Sequence, residues 1–109
     1  MDNDNQTYHV LIRFEAQQEI QEAYQWYESK ARKVAKDFLL ALDERFTTIE
    51  RDPTAYPVIY KQVRRALLRR FPYGLYYFIE GEVVIVLACF HASRDPRQWQ
   101  RRIDDPDNK

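Results

Sequence analysis

Residues 73–90 read YGLYYFIEGEVVIVLACF, and this stretch decides the fold. Tyr73 to Ile79 and Val83 to Phe90 are rich in β-branched and aromatic residues, which fit a pleated, half-buried surface. Glu80-Gly81 marks a tight turn between them, so the two runs predict a hairpin. Val83 to Phe90 is apolar at both parities. A strand of that kind is covered on both faces, at least in part, and lies centrally in its sheet.

Working outward, Val63 to Leu68 is a third strand candidate, and Pro53 to Tyr60 (PTAYPVIY) reads as a proline-punctuated loop. Before it, Ala35, Phe38, Leu39, Leu42, Phe46 and Ile49 recur at helical spacing and predict a helix from Ala31 to Arg51. It should end at Asp52, because the residue preceding Pro53 avoids helical geometry. Ala16, Ile20, Ala23 and Tyr27, widened by Tyr24, predict an earlier helix from Glu15 to the neighbourhood of Ser29-Lys30. Glu15 and Glu19 suit its first turns, where acid favours a helix N-terminus. Two helices with so short a joint make an antiparallel hairpin.

The N-terminal run Tyr8 to Phe14 (YHVLIRF) alternates Tyr8, Val10, Ile12 and Phe14 with His9, Leu11 and Arg13, the pattern of a half-buried strand. After His91, Asp95-Pro96 opens a short helix, with Asp as N-cap and Pro at the first helical position. The order is β, α, α, β, β, β and a short terminal helix. The expected fold class is therefore α+β, two-layer: an N-terminal strand, a helical hairpin, and a three-stranded antiparallel meander completing one small sheet. Residues 8–103 read as the single domain, with polar tails at 1–7 and 104–109.

Composition removes whole classes of function. The 109 residues carry 17 Lys+Arg against 17 Asp+Glu, which argues against a generic nucleic-acid coat or polybasic membrane binder. One cysteine, Cys89, excludes an internal disulfide framework and fits a reducing compartment, the cytoplasm. With only His9 and His91 beside it, a structural zinc site is not expected. Two isolated glycines, Gly74 and Gly81, build no phosphate-cradling loop, so no cofactor is expected. The run Val83 to Phe90 is far short of the roughly 20 residues that span a bilayer.

The zero net charge hides segregation. Lys61, Arg64, Arg65, Arg69 and Arg70 cluster without an acid, and Arg94, Arg97, Arg101 and Arg102 form a second group diluted by Asp95. If Val63 to Phe71 is extended, Arg65 and Arg69 share one face and Arg64 and Arg70 the other. Such arginines fit an anion site, for phosphate or an acidic partner peptide, or simply a charged edge strand that resists aggregation. His91 ends the last strand three residues before Arg94 and could act as general acid or base, or bond to backbone. Tyr73, Tyr76 and Tyr77 are phenols with core-like surroundings. Trp26 and Trp99 could anchor a partner, and Trp99 equally well caps the sheet and pins the terminal segment.

Several stretches together resemble the RelE/ParE superfamily of bacterial type II toxin–antitoxin toxins. They are Trp26-Tyr27-Glu28, Phe38 with Leu42, Asp52-Pro53 followed by Tyr56-Pro57, and Val63-Arg64-Arg65. RRFPYGLYY from Arg69 to Tyr77 and HASRDPRQW from His91 to Trp99 complete the set. Each piece is weak alone, but the order and spacing span residues 8–102. The resemblance implies a growth inhibitor neutralised by a cognate antitoxin. That partner is expected over the basic strand Arg64 to Arg70, the helical hairpin, or both, and homodimerisation stays open. One branch of the superfamily cleaves mRNA on the ribosome without metal. The other inhibits DNA gyrase and is not a nuclease. In the cleaving branch an arginine typically stands where this chain has Gly74, leaving His91, Arg94 and Arg65 as the remaining catalytic candidates. Gly74 and the RDPRQW ending favour the ParE-like, gyrase-directed and plasmid-stabilisation branch, the alternatives being the ribosome-dependent nuclease or a degenerate, non-toxic family member. Arg64, Arg65, Arg69, Arg70, Trp26 and Trp99 are then the candidates for target or antitoxin binding.

Overall fold

The structure, a computed structural model, describes residues 7–104. The tail residues 1–6 and 105–109 lie outside that range. Five strands form one sheet in the order β1-β5-β4-β3-β2. In chain order the elements are β1 (His9–Ile12), α1 (Phe14–Lys30), α2 (Arg32–Arg51), a 3-10 turn (Pro53–Ala55), β2 (Val58–Tyr60), β3 (Val63–Leu67), β4 (Tyr73–Glu80), β5 (Val83–His91) and α3 (Arg97–Asp104). The α+β class read from the sequence is the one observed, with its N-terminal strand, helical hairpin, antiparallel meander in one sheet and short terminal helix; α3 adds cover on the second face of the sheet.

The hairpin of residues 73–90 is the centre of the sheet. Glu80 pairs with Val83, so the two-residue connection is Gly81-Glu82, one place later than the sequence reading. Gly81 takes φ +64° at the first position of that connection, where the strand-matching turn favours glycine. Leu87 is the extra residue of a bulge, since Tyr77 pairs with Val86 and Tyr76 with Ala88. β1 lies parallel to β5 and covers only Val83 to Val86 of it.

Three boundaries and one buried position differ from expectation. β1 ends at Ile12, and Phe14 opens α1 with 67% of its surface exposed. The alternation could not reveal that helix geometry takes over after Arg13. Ala31 is the extended joint between the helices, its amide bonded to Tyr27 O and its carbonyl receiving Ala35 N. Within α2, Ala35, Phe38, Leu42 and Ile49 are buried, whereas Leu39 is 43% exposed on the outer flank. The loop before β3 contains a short edge strand, β2, because residues 58–60 find partners in Arg64 and Val63.

The sheet is packed on both sides. On the hairpin side, Phe38, Leu42 and Ile49 meet Leu75, Tyr77, Val84 and Val86. An aromatic group of Tyr27, Phe38, Phe71 and Tyr73 closes one end, with edge-on centroids such as 5.1 Å for Tyr27–Phe71. Tyr77 is fully buried and its hydroxyl donates to Pro53 O at 2.6 Å, pinning the turn after α2. On the opposite side, α3 lays Trp99 and Ile103 over Tyr76, Phe78 and Ala88. That helix begins at Arg97, one place later than expected, and Asp95 holds its start: the Asp95 Oδ1 accepts Arg97 N at 3.0 Å. Asp104 belongs to α3 rather than to a tail, held by Lys61 at 2.6 Å and by the Tyr60 hydroxyl at 2.7 Å.

Beyond Val86, β5 has no strand on its β1 side among the described residues, and side chains take that strand's place. Glu19, 8% exposed in mid-α1, accepts the Cys89 amide at 3.0 Å. Arg102 donates to Leu87 O at 2.8 Å and to both Glu19 oxygens, the shorter bond being 2.6 Å. From its position in the sequence Glu19 reads as a favourable helix-terminus acid. It is instead half of a buried clasp joining α1, β5 and α3, a role that depends on residues 70 and 83 positions away in the chain.

Candidate functional site

Pairing sorts the candidate residues onto two faces. Arg65 pairs with Tyr76 and Leu67 with Gly74, while Tyr73 pairs with His91. Tyr73 and Gly74 are consecutive and point oppositely. Arg65 therefore stands on the α3 face, and His91 on the hairpin face beside Tyr73, their ring centroids 5.3 Å apart. Of the three nuclease candidates, the structure brings together His91 and Arg94 but leaves Arg65 across the sheet.

The basic strand also divides. β3 ends at Leu67, so Arg69 and Arg70 occupy the turn before β4 and do not continue the strand parity. Arg70 has φ +68°, and Arg69 faces Glu44 of α2 at 3.8 Å. Arg64 is a structural tie: its Nη1 donates to Tyr56 O at 2.6 Å and Thr54 O at 3.2 Å. No single row of arginines is offered to an anion. Trp99, 2% exposed, is the sheet cap rather than a partner anchor, tilted against Tyr76 at 4.8 Å and edge-on to Tyr60 at 5.7 Å.

Gly74 sits on the α3 face in tight surroundings. A Cβ there would stand 3.2 Å from Leu67 Cδ2, 3.3 Å from Arg65 Cγ and 3.4 Å from Tyr76 Cε1. An arginine at this position would have to displace those side chains. Burial raises the Tyr76 phenol, with the Arg65 guanidinium pulling partly the other way.

His91, Arg94 and Trp26 converge on a groove of about 500 Å³ between α1 and the ends of β4 and β5. Trp26 and Tyr27 form the α1 wall, Tyr73 the facing wall, and Cys89 part of the lining. Trp26 is 55% exposed, with Lys30 Nζ 5.1 Å from its ring centroid. Burial raises the phenols of Tyr27 and Tyr73, and it pushes the Cys89 thiol up to about 12, so none of the three is primed as a nucleophile.

The imidazole of His91 has a defined orientation. The Ser93 amide donates to its Nδ1 at 3.1 Å, and Ser93 Oγ lies 2.8 Å from the same atom. Since a backbone N–H can only donate, Nδ1 is the acceptor and Nε2 carries the hydrogen of the neutral ring. The neutral ring thus turns a donor outward, not a base. Arg94 stacks over the Phe90 ring at 4.1 Å and donates to Gln98 Oε1 at 2.8 Å. No group of three metal-ligating side chains occurs among the described residues, and no helix there is long and apolar enough to cross a membrane.

Comparison with known proteins identifies the fold and the family. No curated protein matches the chain. A solved structure described as the chromosomal ParDE TA system from P. aeruginosa superposes with a TM-score of 0.68 at 15% identity, covering 77% of this chain and 95% of that one, which establishes a shared fold. The family model for the ParE toxin of type II toxin–antitoxin systems, parDE, matches residues 10–96. With that match over most of its length, the chain belongs to the ParE toxin family, whose members pair with an antitoxin.

Proposed function

We propose that this toxin acts by binding a protein target, with DNA gyrase favoured, in the cytoplasm. The observation that carries the reading is the separation of the nuclease candidates: His91 and Arg65 lie on opposite faces of the sheet, and Gly74 occupies the place of an expected arginine. A phosphoryl-transfer site needs its charges converging on one reacting group. This chain instead offers an apolar groove with an exposed tryptophan, the anatomy of a protein contact. Purified toxin added to gyrase should inhibit supercoiling, with preincubated antitoxin restoring it. Undiminished supercoiling at saturating toxin would falsify the target.

The alternative is ribosome-dependent mRNA cleavage. It draws on one observation, that His91 and Arg94 share the groove. Primer extension on translated mRNA decides it: new cuts that vanish in His91→Ala and Arg94→Ala proteins favour the nuclease, and an unchanged transcript disposes of it.

A further inference from the structure

We propose that the groove between α1 and the ends of β4 and β5 captures the C-terminal residue of a protein partner. Its apolar side chain lies between Trp26 and Tyr73, and its α-carboxylate lies on Arg94 and the His91 Nε2–H. This rests on the groove being a protein-docking surface, and does not depend on gyrase being the target.

The groove has the size of a specific pocket rather than a surface dimple, about 500 Å³ within the usual range of about 300–1,000 Å³. One side is aromatic and takes an apolar group. The other side is a donor pair. His91 presents Nε2–H because Ser93 occupies Nδ1. Arg94 is held in place by Phe90 and Gln98, yet has no carboxylate partner among the described residues. Guanidinium has five N–H donors, so the bond to Gln98 leaves others for a ligand. Two acids also line the groove: Glu19 is neutralised by its pair with Arg102, and Glu22 on the α1 rim confines an anion to the Arg94 side. The same acid disfavours a nucleic-acid backbone along the groove.

Spacing selects a chain terminus over an internal acidic residue. The apolar wall and the donor side are close, with Tyr73 and His91 ring centroids 5.3 Å apart. In an extended peptide, neighbouring side chains point to opposite sides, and same-side residues are about 6.8 Å apart. An internal acid beside an apolar residue therefore points away or overreaches. A C-terminal residue carries its side chain and its carboxylate on one Cα, which fits.

The test is an NMR titration of the full chain, following the Trp26 indole N–H together with the Tyr73 and Ser93 backbone amides, which remain as reporters when Trp26 is replaced. The probes are the peptide Gly-Ser-Gly-Ser-Phe as free acid, the same peptide amidated, and an amidated peptide with Asp before Phe. The free acid should bind about tenfold more tightly than the amide, the scale of a charge-assisted hydrogen bond. Arg94→Gln should bring the acid to the level of the amide, Arg94→Lys should restore part of the preference, and Trp26→Ala should weaken both forms. Both positions are exposed, and unchanged thermal melts would show that the variants fold. Equal binding of acid and amide, a preference surviving Arg94→Gln, or tighter binding of the internal-acid peptide overturns the proposal. A larger Trp26 response to oligouridylate would assign the groove to RNA and overturn it as well. An acid preference in a toxin that leaves gyrase untouched would keep this inference while refuting the target.

Discussion

Replacing Arg102 with methionine tests what holds α3 on the sheet. The guanidinium donates to Glu19 Oε2 at 2.6 Å, Glu19 Oε1 at 3.2 Å and Leu87 O at 2.8 Å. The two side chains are 16% and 10% exposed, so solvent neither screens the pair nor replaces the lost partner. Methionine keeps the apolar stem. It leaves the Glu19 carboxylate with the Cys89 amide alone and deprives the Leu87 carbonyl of its donor. Removing one partner of a buried ion pair costs about 3–5 kcal/mol, against a total stability of about 5–15 kcal/mol for a domain. At about 4 °C per kcal/mol, the lower figure moves the melting midpoint by about 12 °C. The double variant Glu19→Leu/Arg102→Met removes both charges. It retains the unpaired Cys89 N–H and Leu87 C=O, at about 1–3 kcal/mol each. It should therefore lose less stability than the two single variants summed. Urea unfolding followed by far-ultraviolet circular dichroism measures all four proteins. A loss below about 1 kcal/mol for Arg102→Met, or strict additivity in the cycle, would refute the clasp.

Two further outcomes follow from ionisation. The Arg97 side chain and amide hold the Asp95 carboxyl down at about 2. A depressed folded-state value means that the stabilisation is complete above the unfolded value, near 3.9, and is lost as pH falls toward the folded one. An NMR titration should place the Asp95 midpoint well below 3 in the wild type and nearer the ordinary value in Arg97→Ala; equal midpoints would reject the cap's electrostatic role. Burial, and secondarily the Glu19 charge, push the Cys89 thiol up to about 12. The unfolded chain therefore ionises first, and stability declines as pH climbs past about 8.5, the ordinary thiol value. Iodoacetamide at that pH should label Cys89 at the rate of unfolding, and labelling that ignores added urea would contradict the burial argument.

The sequence by itself determined the layers. Alternation in Tyr8 to Phe14, the 3.6-residue stripes of two helices, and apolar parity in Val83 to Phe90 are local signals, and each predicted element exists. The terminal cap was equally legible, because Asp95-Pro96 encodes its own geometry within three residues. Trp26, His91 and Arg94 were all named from the sequence, and they do meet in one groove. The rest depended on which segments pack together. Residues 58–60 become a strand because β3 lies beside them. Arg64 is consumed by carbonyls of a turn that the sequence shows only as a loop. Glu19 and Arg102 look like surface charges on their own helices, and become a buried pair because β5 outruns β1 and leaves an amide and a carbonyl to satisfy. Register sorts the candidate residues: one residue of parity puts Arg65 and His91 on opposite faces, a consequence that only pairing between distant strands can set.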